Sequence, residues 1–260
     1  MRMLRLLLLL LLCPVAAQAA VQPDLRDFAY QQRPGARLPT GENFRDATGR
    51  EVRIADLLRG KPAILALGYF SCPNLCGIVR ADLYNALAQT GMIAGQDYTL
   101  VALSIDPAET SADAARAKAT DIAAYPLPGA ARNWHFLTGS AADVKAVSDA
   151  VGFRDRFDTR LKQFLHPAGI VFVTPGGVVS GYLLGVGYAP ADVRLGVTRA
   201  STGSIAARAL PVLLLCFHFD PTTGRYTLAV LKLLKLGAGL TVLVIGGTLL
   251  LAFRRERRQP

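Results

Sequence analysis

Short apolar runs alternate with helix-like segments through the middle of the chain. Continuous apolar runs predict buried strands at 63–70, 98–105 and 133–137. Helical spacing of apolar residues, or Ala-rich sequence, predicts helices at 78–89, 111–124, 141–151 and 192–209. Hairpins are predicted around Thr48-Gly49 and around Pro175-Gly176-Gly177, the second joining strands 169–174 and 178–184. This order predicts an α/β fold whose central mixed sheet is parallel in its centre, antiparallel toward one edge and flanked by helices.

The first 20 residues have the pattern of a secretory signal peptide. Arg2 and Arg5 precede an apolar run at 6–12, and a small-residue A-x-A site follows at 17–19. The run is shorter than the roughly 20 residues that span a bilayer, so an uncleaved anchor is the weaker alternative. Lipidation of Cys13 is a further alternative, although leucines rather than small residues precede it. The next segment, 21–40, is predicted to be an extended linker because it contains several prolines.

An uncharged run near the other end predicts a membrane span. Residues 236–253 carry no charge, and Arg254, Arg255, Arg257 and Arg258 follow directly. We therefore expect a single transmembrane helix at 229–253, a membrane-proximal segment at 211–228 and a cytoplasmic basic tail at 254–260. With export started by the signal peptide, this C-terminal anchor would leave the globular part, 41–210, on the periplasmic side, most simply of a bacterial inner membrane.

Charge is informative only after these ends are set aside. The 260 residues carry a net charge of +10, but the part between the signal peptide and the predicted span has 21 basic and 18 acidic residues. Its net charge of about +3 gives no support for nucleic-acid binding. The composition, 52% hydrophobic, also excludes a disordered chain.

The strongest chemical signal is Cys72-Pro73-Asn74-Leu75-Cys76, because it lies where a buried strand ends and a helix begins. A helix N-terminus stabilises a thiolate and lowers the pKa of a cysteine in the first turn. Cysteines four residues apart lie on one side of a helix, so their sulfurs can hold a soft ion such as Cu(I) or Zn²⁺ or close into a redox-active disulfide. A structural disulfide is the alternative for an exported pair.

His166 is a candidate third ligand. It directly precedes the apolar strand 169–174, and a loop there can face a neighbouring helix N-terminus. Two thiolates and one imidazole would make a three-coordinate soft site. A lone histidine before a strand is more often incidental, so only its combination with the cysteine motif makes it a candidate.

Four motifs in order resemble the SCO (SenC-type) family. A strand leads into C-P-x-x-C, a second strand ends in Ser104-Ile105-Asp106-Pro107, a W-H-F-L-T-G stretch occupies 134–139, and a late histidine precedes a strand. The resemblance covers about 44–187. It implies a thioredoxin-like fold with an inserted hairpin, and copper, as Cu(I) or Cu(II), bound by Cys72, Cys76 and His166. Two departures are Gly77 where the family often has proline, and Leu165 beside His166, where a carboxylate is common and could orient the ring.

The resemblance implies a membrane-tethered copper chaperone for cytochrome c oxidase assembly. Its partners would be the copper-containing oxidase subunit, the membrane, and a thiol reductant or another copper chaperone. A chaperone is not an enzyme in the usual sense, but the same Cys72–Cys76 pair also suits a thiol-disulfide reductase that keeps the cysteines of an oxidase copper site reduced. A peroxidase of peroxiredoxin type is less well supported, because the motif is a close cysteine pair.

Four further residues have both a functional and a structural interpretation. His135 lies between Trp134 and Phe136 in a predicted strand, and alternation favours a structural role. Asp106 either lines the copper site or turns the chain at a strand end. Cys216 and His218 are two apart, so in a strand they share a face and form either a second metal site or part of an ordinary core.

Overall fold

The computed structural model describes residues 29–39, 41–71, 76–160, 162–209, 237–239, 241–242 and 244–248, with the backbone alone at Cys76. The predicted signal peptide with Cys13, the segment with Cys216 and His218, and the basic tail at 254–260 lie outside the described residues.

The central element is a sheet with seven strands in the described part of the chain, namely β1 (Phe44–Asp46), β2 (Glu51–Val52), β3 (Ala63–Gly68), β4 (Thr99–Ser104), β5 (Trp134–Gly139), β8 (Gly169–Val173) and β9 (Val179–Leu184). Their order across the sheet is β2-β1-β5-β4-β3-β8-β9. Strands β3, β4 and β5 are parallel, as predicted. Antiparallel pairing occurs on both sides of them, since β1 pairs with β5 and β8 pairs with β3. The expectation of antiparallel pairing at one edge is therefore corrected, because the opening hairpin extends the sheet at its other edge.

Helices cover both faces of this sheet, which explains why β3 and β4 are continuous apolar runs. The helices are α1 (Ile54–Leu58), α2 (Cys76–Thr90), α3 (Ser111–Ala124), α4 (Ala130–Asn133), α5 (Ala141–Val151) and α6 (Pro190–Ser201). Helices α1 and α5 bury one face of the sheet, and the other four bury the opposite face. The core on that face includes the ring of Tyr84, stacked on Trp134 with centroids 4.2 Å apart.

The helix ends follow local signals. Helices α3 and α5 have the bounds that the sequence predicts. Thr110 and Asp113 cap the start of α3, and Ser140 caps the start of α5. The helix predicted at 192–209 is α6 and ends at Ser201. It stops there because Gly203 has a φ of 72° and the Ser204 amide donates to the Arg199 carbonyl oxygen at 3.0 Å.

A hairpin outside the main sheet consists of β6 (Arg156–Asp158) and β7 (Gln163–Leu165). The hydrophobic pattern predicts no strand here, because these strands have three residues each and are charged or half-exposed. The resemblance implies an inserted hairpin without giving its place. Since β7 ends at Leu165, this hairpin leads directly into His166.

Part of the segment read as a linker packs on the domain. The Ala36 carbonyl oxygen accepts from the Val179 amide at 2.8 Å, and the Leu38 amide donates to Gly177 at 2.8 Å. Tyr30 and Leu38 are buried. Residues 30–38 therefore lie along the β9 edge of the sheet.

No helix within the described residues is long and apolar enough to cross a membrane. The transmembrane helix in the sequence-based fold class is therefore wrong. The described residues between 229 and 253 are helical at 237–239, 241–242 and 244–248. The remaining positions of 229–253 lie outside the described residues.

The side chain of His135 points away from its aromatic neighbours, as alternation along a strand predicts. Trp134 and Phe136 are buried in the core on one face of β5, while His135 projects to the other. Burial is the main cause that lowers the pKa of His135 from 6.5 to about 4, and the positive charges of Lys118, Arg59 and Arg50 act in the same direction. The carboxylate of Asp46 opposes them.

This shift predicts an acid-dependent loss of stability. Because the pKa is lower in the folded chain, the unfolded chain binds the proton first as pH falls from 6.5 toward 4. The free energy of unfolding is therefore highest above pH 6.5, where His135 is neutral in both states. It falls through this window, by about 2 kcal/mol at pH 4.5. Urea unfolding at pH 7 and pH 4.5 should give a smaller difference for His135→Gln than for the wild type. Equal differences in the two proteins would contradict the assignment.

Candidate metal centre

The sheet register brings His166 opposite the start of the segment 69–75, which joins β3 to α2 and is called the cysteine loop below. Strand β3 runs antiparallel to β8 with Ala66 opposite Ile170. Continued past the ends of both strands, this register places residues 69 and 70 opposite 167 and 166. The ring centroids of Tyr69 and His166 are 6.0 Å apart, which agrees with that placement. His166 therefore lies beside the chain three residues before Cys72.

The His166 ring is enclosed and held in one tautomer. Its residue is 1% exposed, and the ring stacks on Phe153 with centroids 5.6 Å apart. Nδ1 lies 3.0 Å from the carbonyl oxygen of Pro167. Because a carbonyl only accepts, we assign the proton to Nδ1, and the neutral ring in this tautomer has its lone pair on Nε2. The backbone at Pro167 thus orients the ring, although no carboxylate is next to it in the sequence.

Burial favours the neutral imidazole that coordinates metals. It lowers the pKa of His166 below 6.5, and the hydrogen bond to Pro167 acts in the opposite direction. A histidine must be neutral to bind a metal ion. The environment therefore keeps His166 ready to act as a ligand at neutral pH.

A buried carboxylate fixes the backbone just before Cys72. Glu109 is 8% exposed and accepts hydrogen bonds from the amides of Phe70 at 2.8 Å and Ser71 at 2.5 Å. The hydroxyl of Ser104, at the end of β4, also donates to Glu109 at 2.5 Å. One side chain therefore joins the ends of β3 and β4 where the cysteine loop begins. The sequence gives no direct signal for this role, because two of the partners are backbone groups almost 40 residues away.

Asp106 turns the chain. Its carboxylate accepts from the Ala108 amide at 2.8 Å, and its carbonyl oxygen accepts from the Glu109 amide at 3.1 Å. Of the two alternatives for the Ser104-Ile105-Asp106-Pro107 motif, the described contacts favour the turn, and it is Glu109, three residues later, that reaches the cysteine loop.

Helix α2 is held in place one turn after Cys76. The side chain of Arg80 is largely buried and pairs with Asp121 of α3 at 2.8 Å. Asp121 also accepts from the Tyr84 hydroxyl at 2.9 Å. The guanidinium lies 5.8 Å from the ring centroid of Phe70. These contacts fasten the first turns of α2 to α3 and to the end of β3.

The three predicted ligands differ in how much of each residue the structure describes. Cys76 is the first residue of α2, whereas the expected placement of Cys72 in the first turn of that helix falls outside the described residues. His166 is described in full. Among the described side chains there is no group of three His, Cys, Asp or Glu residues that could hold a metal ion. The assignment of Cys72, Cys76 and His166 as ligands stays a prediction.

Comparison with known proteins identifies the family. The SCO1/SenC family model matches residues 34–192, more than half of the chain. The chain belongs to the SCO1/SenC family. The resemblance found in the sequence is thereby confirmed. No curated protein matches the chain.

Solved structures are similar to the domain over almost their whole length. A protein of Aquifex aeolicus VF5 described as an electron transport protein is 25% identical, over 66% of this chain and 100% of that one, with a TM-score of 0.54. Arabidopsis thaliana ScoI, solved with copper bound, is 19% identical over 63% and 98% of the two chains, with a TM-score of 0.51. BsSco, a Sco-family cytochrome c oxidase assembly protein with a disulfide switch, is 22% identical over 66% and 97%, with a TM-score of 0.50.

These likenesses confirm the thioredoxin-like α/β fold with a mixed central sheet. The family match ends within α6, so it includes the β6–β7 hairpin, His166 and the β8–β9 hairpin. Copper, the metal expected from the resemblance, is bound in solved Sco structures.

Proposed function

We propose that this SCO1/SenC protein binds one copper ion through Cys72, Cys76 and His166 and delivers it to the copper-containing subunit of cytochrome c oxidase. The observation that carries the proposal is the placement of His166, a buried imidazole whose Nδ1 lies 3.0 Å from the Pro167 carbonyl oxygen, beside the chain that leads into Cys72. Its family membership and the copper in related structures support the choice of metal.

The residues present fit a copper ion. Thiolate and imidazole are the ligands that soft Cu(I) prefers, and Cu(II) also accepts imidazole. Cys76 begins α2, where the helix dipole favours a thiolate. Glu109 and Pro167 hold the two sides of the site, the first through the backbone of residues 70 and 71 and the second through the His166 ring.

Delivery then depends on ligand exchange and on the redox state of the cysteines. A partner's thiolates or imidazoles replace Cys72, Cys76 and His166 one at a time, so the two sites must come into contact. A disulfide between Cys72 and Cys76 offers no thiolate, and a dithiol reductant must supply two electrons and two protons to open it. The signal-peptide pattern of 1–20 supports a site of action outside the cytoplasm.

Copper stoichiometry of the full chain tests the proposal. We expect the reduced protein to bind one copper tightly and the oxidised protein to bind none, with Cu(I) and Cu(II) titrated separately. Cys216→Ala is the matched control and should keep the single copper. Active dithiol exchange by a reduced chain that binds no copper would instead assign the protein as a thiol-disulfide reductase.

A further inference from the structure

Two aromatic residues in series support the ring of His166. Phe153, 2% exposed, stacks on the imidazole with centroids 5.6 Å apart. Tyr30, 8% exposed, packs edge-on against Phe153 at a centroid distance of 5.3 Å. The hydrogen bond between Nδ1 and Pro167 restrains one edge of the imidazole, so the tilt of its plane also depends on this packing. Tyr30 thus contacts the ring that contacts the predicted copper ligand.

The segment 30–33, called the strap below, is fixed to the end of helix α5 directly before Phe153. The Gln31 amide donates to the Gly152 carbonyl oxygen at 2.7 Å. Gly152 has a φ of 66°, and a Cβ there would lie 1.9 Å from the Gln31 carbonyl oxygen. Only glycine permits so close an approach, so the chain beside Phe153 is shaped to receive the strap.

Tyr182 of β9 links the strap to the same end of α5. Its hydroxyl accepts from the Arg33 amide at 2.9 Å and donates to the Val151 carbonyl oxygen at 3.0 Å. Its ring also packs against Tyr30, with centroids 5.6 Å apart. The Tyr30 ring is therefore in contact with both Phe153 and Tyr182.

A side-chain latch joins the strap to the segment 204–209. Gln32 donates from Nε2 to the Ala209 carbonyl oxygen and accepts at Oε1 from the Ala209 amide, both at 2.7 Å. The segment 204–209 is itself bound to β9, because the Ala206 amide donates to the Ser180 carbonyl oxygen at 2.7 Å. The latch therefore ties the strap to the sheet through a part of the chain more than 170 residues away.

We propose that Tyr30 is a positioning residue for copper binding, which acts through Phe153 and fixes the plane of the His166 ring. The latch keeps Tyr30 in place. The inference rests on the proposed function, in which His166 is a copper ligand. It adds to that function a part of the chain, the strap, that lies outside the residues 34–192 matched by the family model. Copper affinity then depends on whether the strap is bound.

The test compares Tyr30→Leu with Tyr30→Phe in the full chain, with Cu(I) and Cu(II) added separately as probes. Among the described residues the buried Tyr30 hydroxyl has no hydrogen-bond partner, so Tyr30→Phe keeps the ring contacts that the structure shows. Gln32→Ala opens the latch without removing a ring from the core. Tyr98→Leu is the matched control, since Tyr98 is fully buried in the core on the opposite face of the sheet and precedes β4, at the end away from the cysteine loop.

We expect Tyr30→Leu to lower copper affinity about tenfold and Gln32→Ala about threefold, while Tyr30→Phe stays within about twofold of the wild type. The EPR spectrum of the Cu(II) form should change in Tyr30→Leu, because it depends on the arrangement of the ligands. Equal losses of affinity in Tyr30→Leu and Tyr98→Leu, each with the wild-type EPR spectrum, would assign Tyr30 to general stability and overturn the inference. If Tyr30→Leu does not fold, the same comparisons apply to Gln32→Ala.

The ring of His166 gives a second measurement that needs no copper. Its NMR proton shifts in the reduced, copper-free chain depend on the Phe153 ring stacked on it. They should move in Tyr30→Leu and stay unchanged in Tyr30→Phe and Tyr98→Leu, and unchanged shifts in Tyr30→Leu would contradict the positioning role. A wild type that binds no copper refutes the proposed function and the inference together, whereas copper binding that is the same in the wild type and Tyr30→Leu overturns the inference alone.

Discussion

Replacing His166 with alanine should lower copper affinity by at least about 100-fold while leaving dithiol exchange by Cys72 and Cys76 largely intact. Loss of a single group that only orients a ligand already costs 10-fold to 100-fold in metal affinity, and this variant removes the ligand itself. The neutral ring, with its proton on Nδ1 facing Pro167, is the form that supplies Nε2 to a metal.

The comparison variant is His135→Ala, which removes the other histidine that the structure describes and should leave copper affinity unchanged. Competition titrations against a chelator of known affinity give the copper dissociation constants, and urea unfolding shows whether each variant is folded. Because the His166 ring is buried against Phe153, His166→Gln provides a variant that leaves a smaller cavity. Wild-type affinity in folded His166→Ala and His166→Gln would remove His166 from the site and favour the reductase.

The sequence predicts the centre of the sheet well and its edges less well. Strands β3 and β4 are recognisable because burial on both faces requires continuous apolar runs. The position of β1 beside β5 is not encoded locally, because it depends on pairing between residues more than 90 positions apart. An uncharged run at 236–253 matches the composition of a span, but no helix within the part of the chain that the structure describes is long and apolar enough to cross a membrane.

The candidate site is also only partly predictable from the sequence. Cys72, Cys76 and His166 can be picked out because their chemistry is unusual and their order matches a family. Glu109 cannot be picked out in this way, because glutamate is common near the start of a helix. Its role depends on backbone amides that only the folded chain places beside it. The sequence also does not predict that the Pro167 carbonyl orients His166, because every residue has a carbonyl group.

Replacing Glu109 with alanine should destabilise the fold by about 3 kcal/mol, because the amides of Phe70 and Ser71 lose their acceptor and the hydroxyl of buried Ser104 keeps only the longer contact, 3.4 Å, with the Asp106 carbonyl oxygen. Glu109→Gln is the more informative variant. Its single amide oxygen can still accept from Phe70 and Ser104, which share one carboxylate oxygen of Glu109, while its NH₂ group would face the Ser71 amide, donor against donor. We expect this variant to lose about 2 kcal/mol and to release Ser71, the residue before Cys72.

Amide hydrogen exchange separates positioning of the cysteine loop from general stability. In Glu109→Gln, the Ser71 amide should exchange much faster than in the wild type, the Phe70 amide should change less, and copper affinity should fall with the loss of order at Ser71. Asp106→Asn is the matched control, since an amide oxygen still accepts from Ala108 and stability should change by less than about 0.5 kcal/mol. Unchanged exchange at Ser71 in Glu109→Gln, with wild-type copper affinity, would limit Glu109 to a general structural role. Because the described contacts of the carboxylate are with the backbone of Phe70 and Ser71 and with Ser104, we expect its effect on copper to pass through the position of Cys72. Faster exchange at Ser71 is the signature of that path.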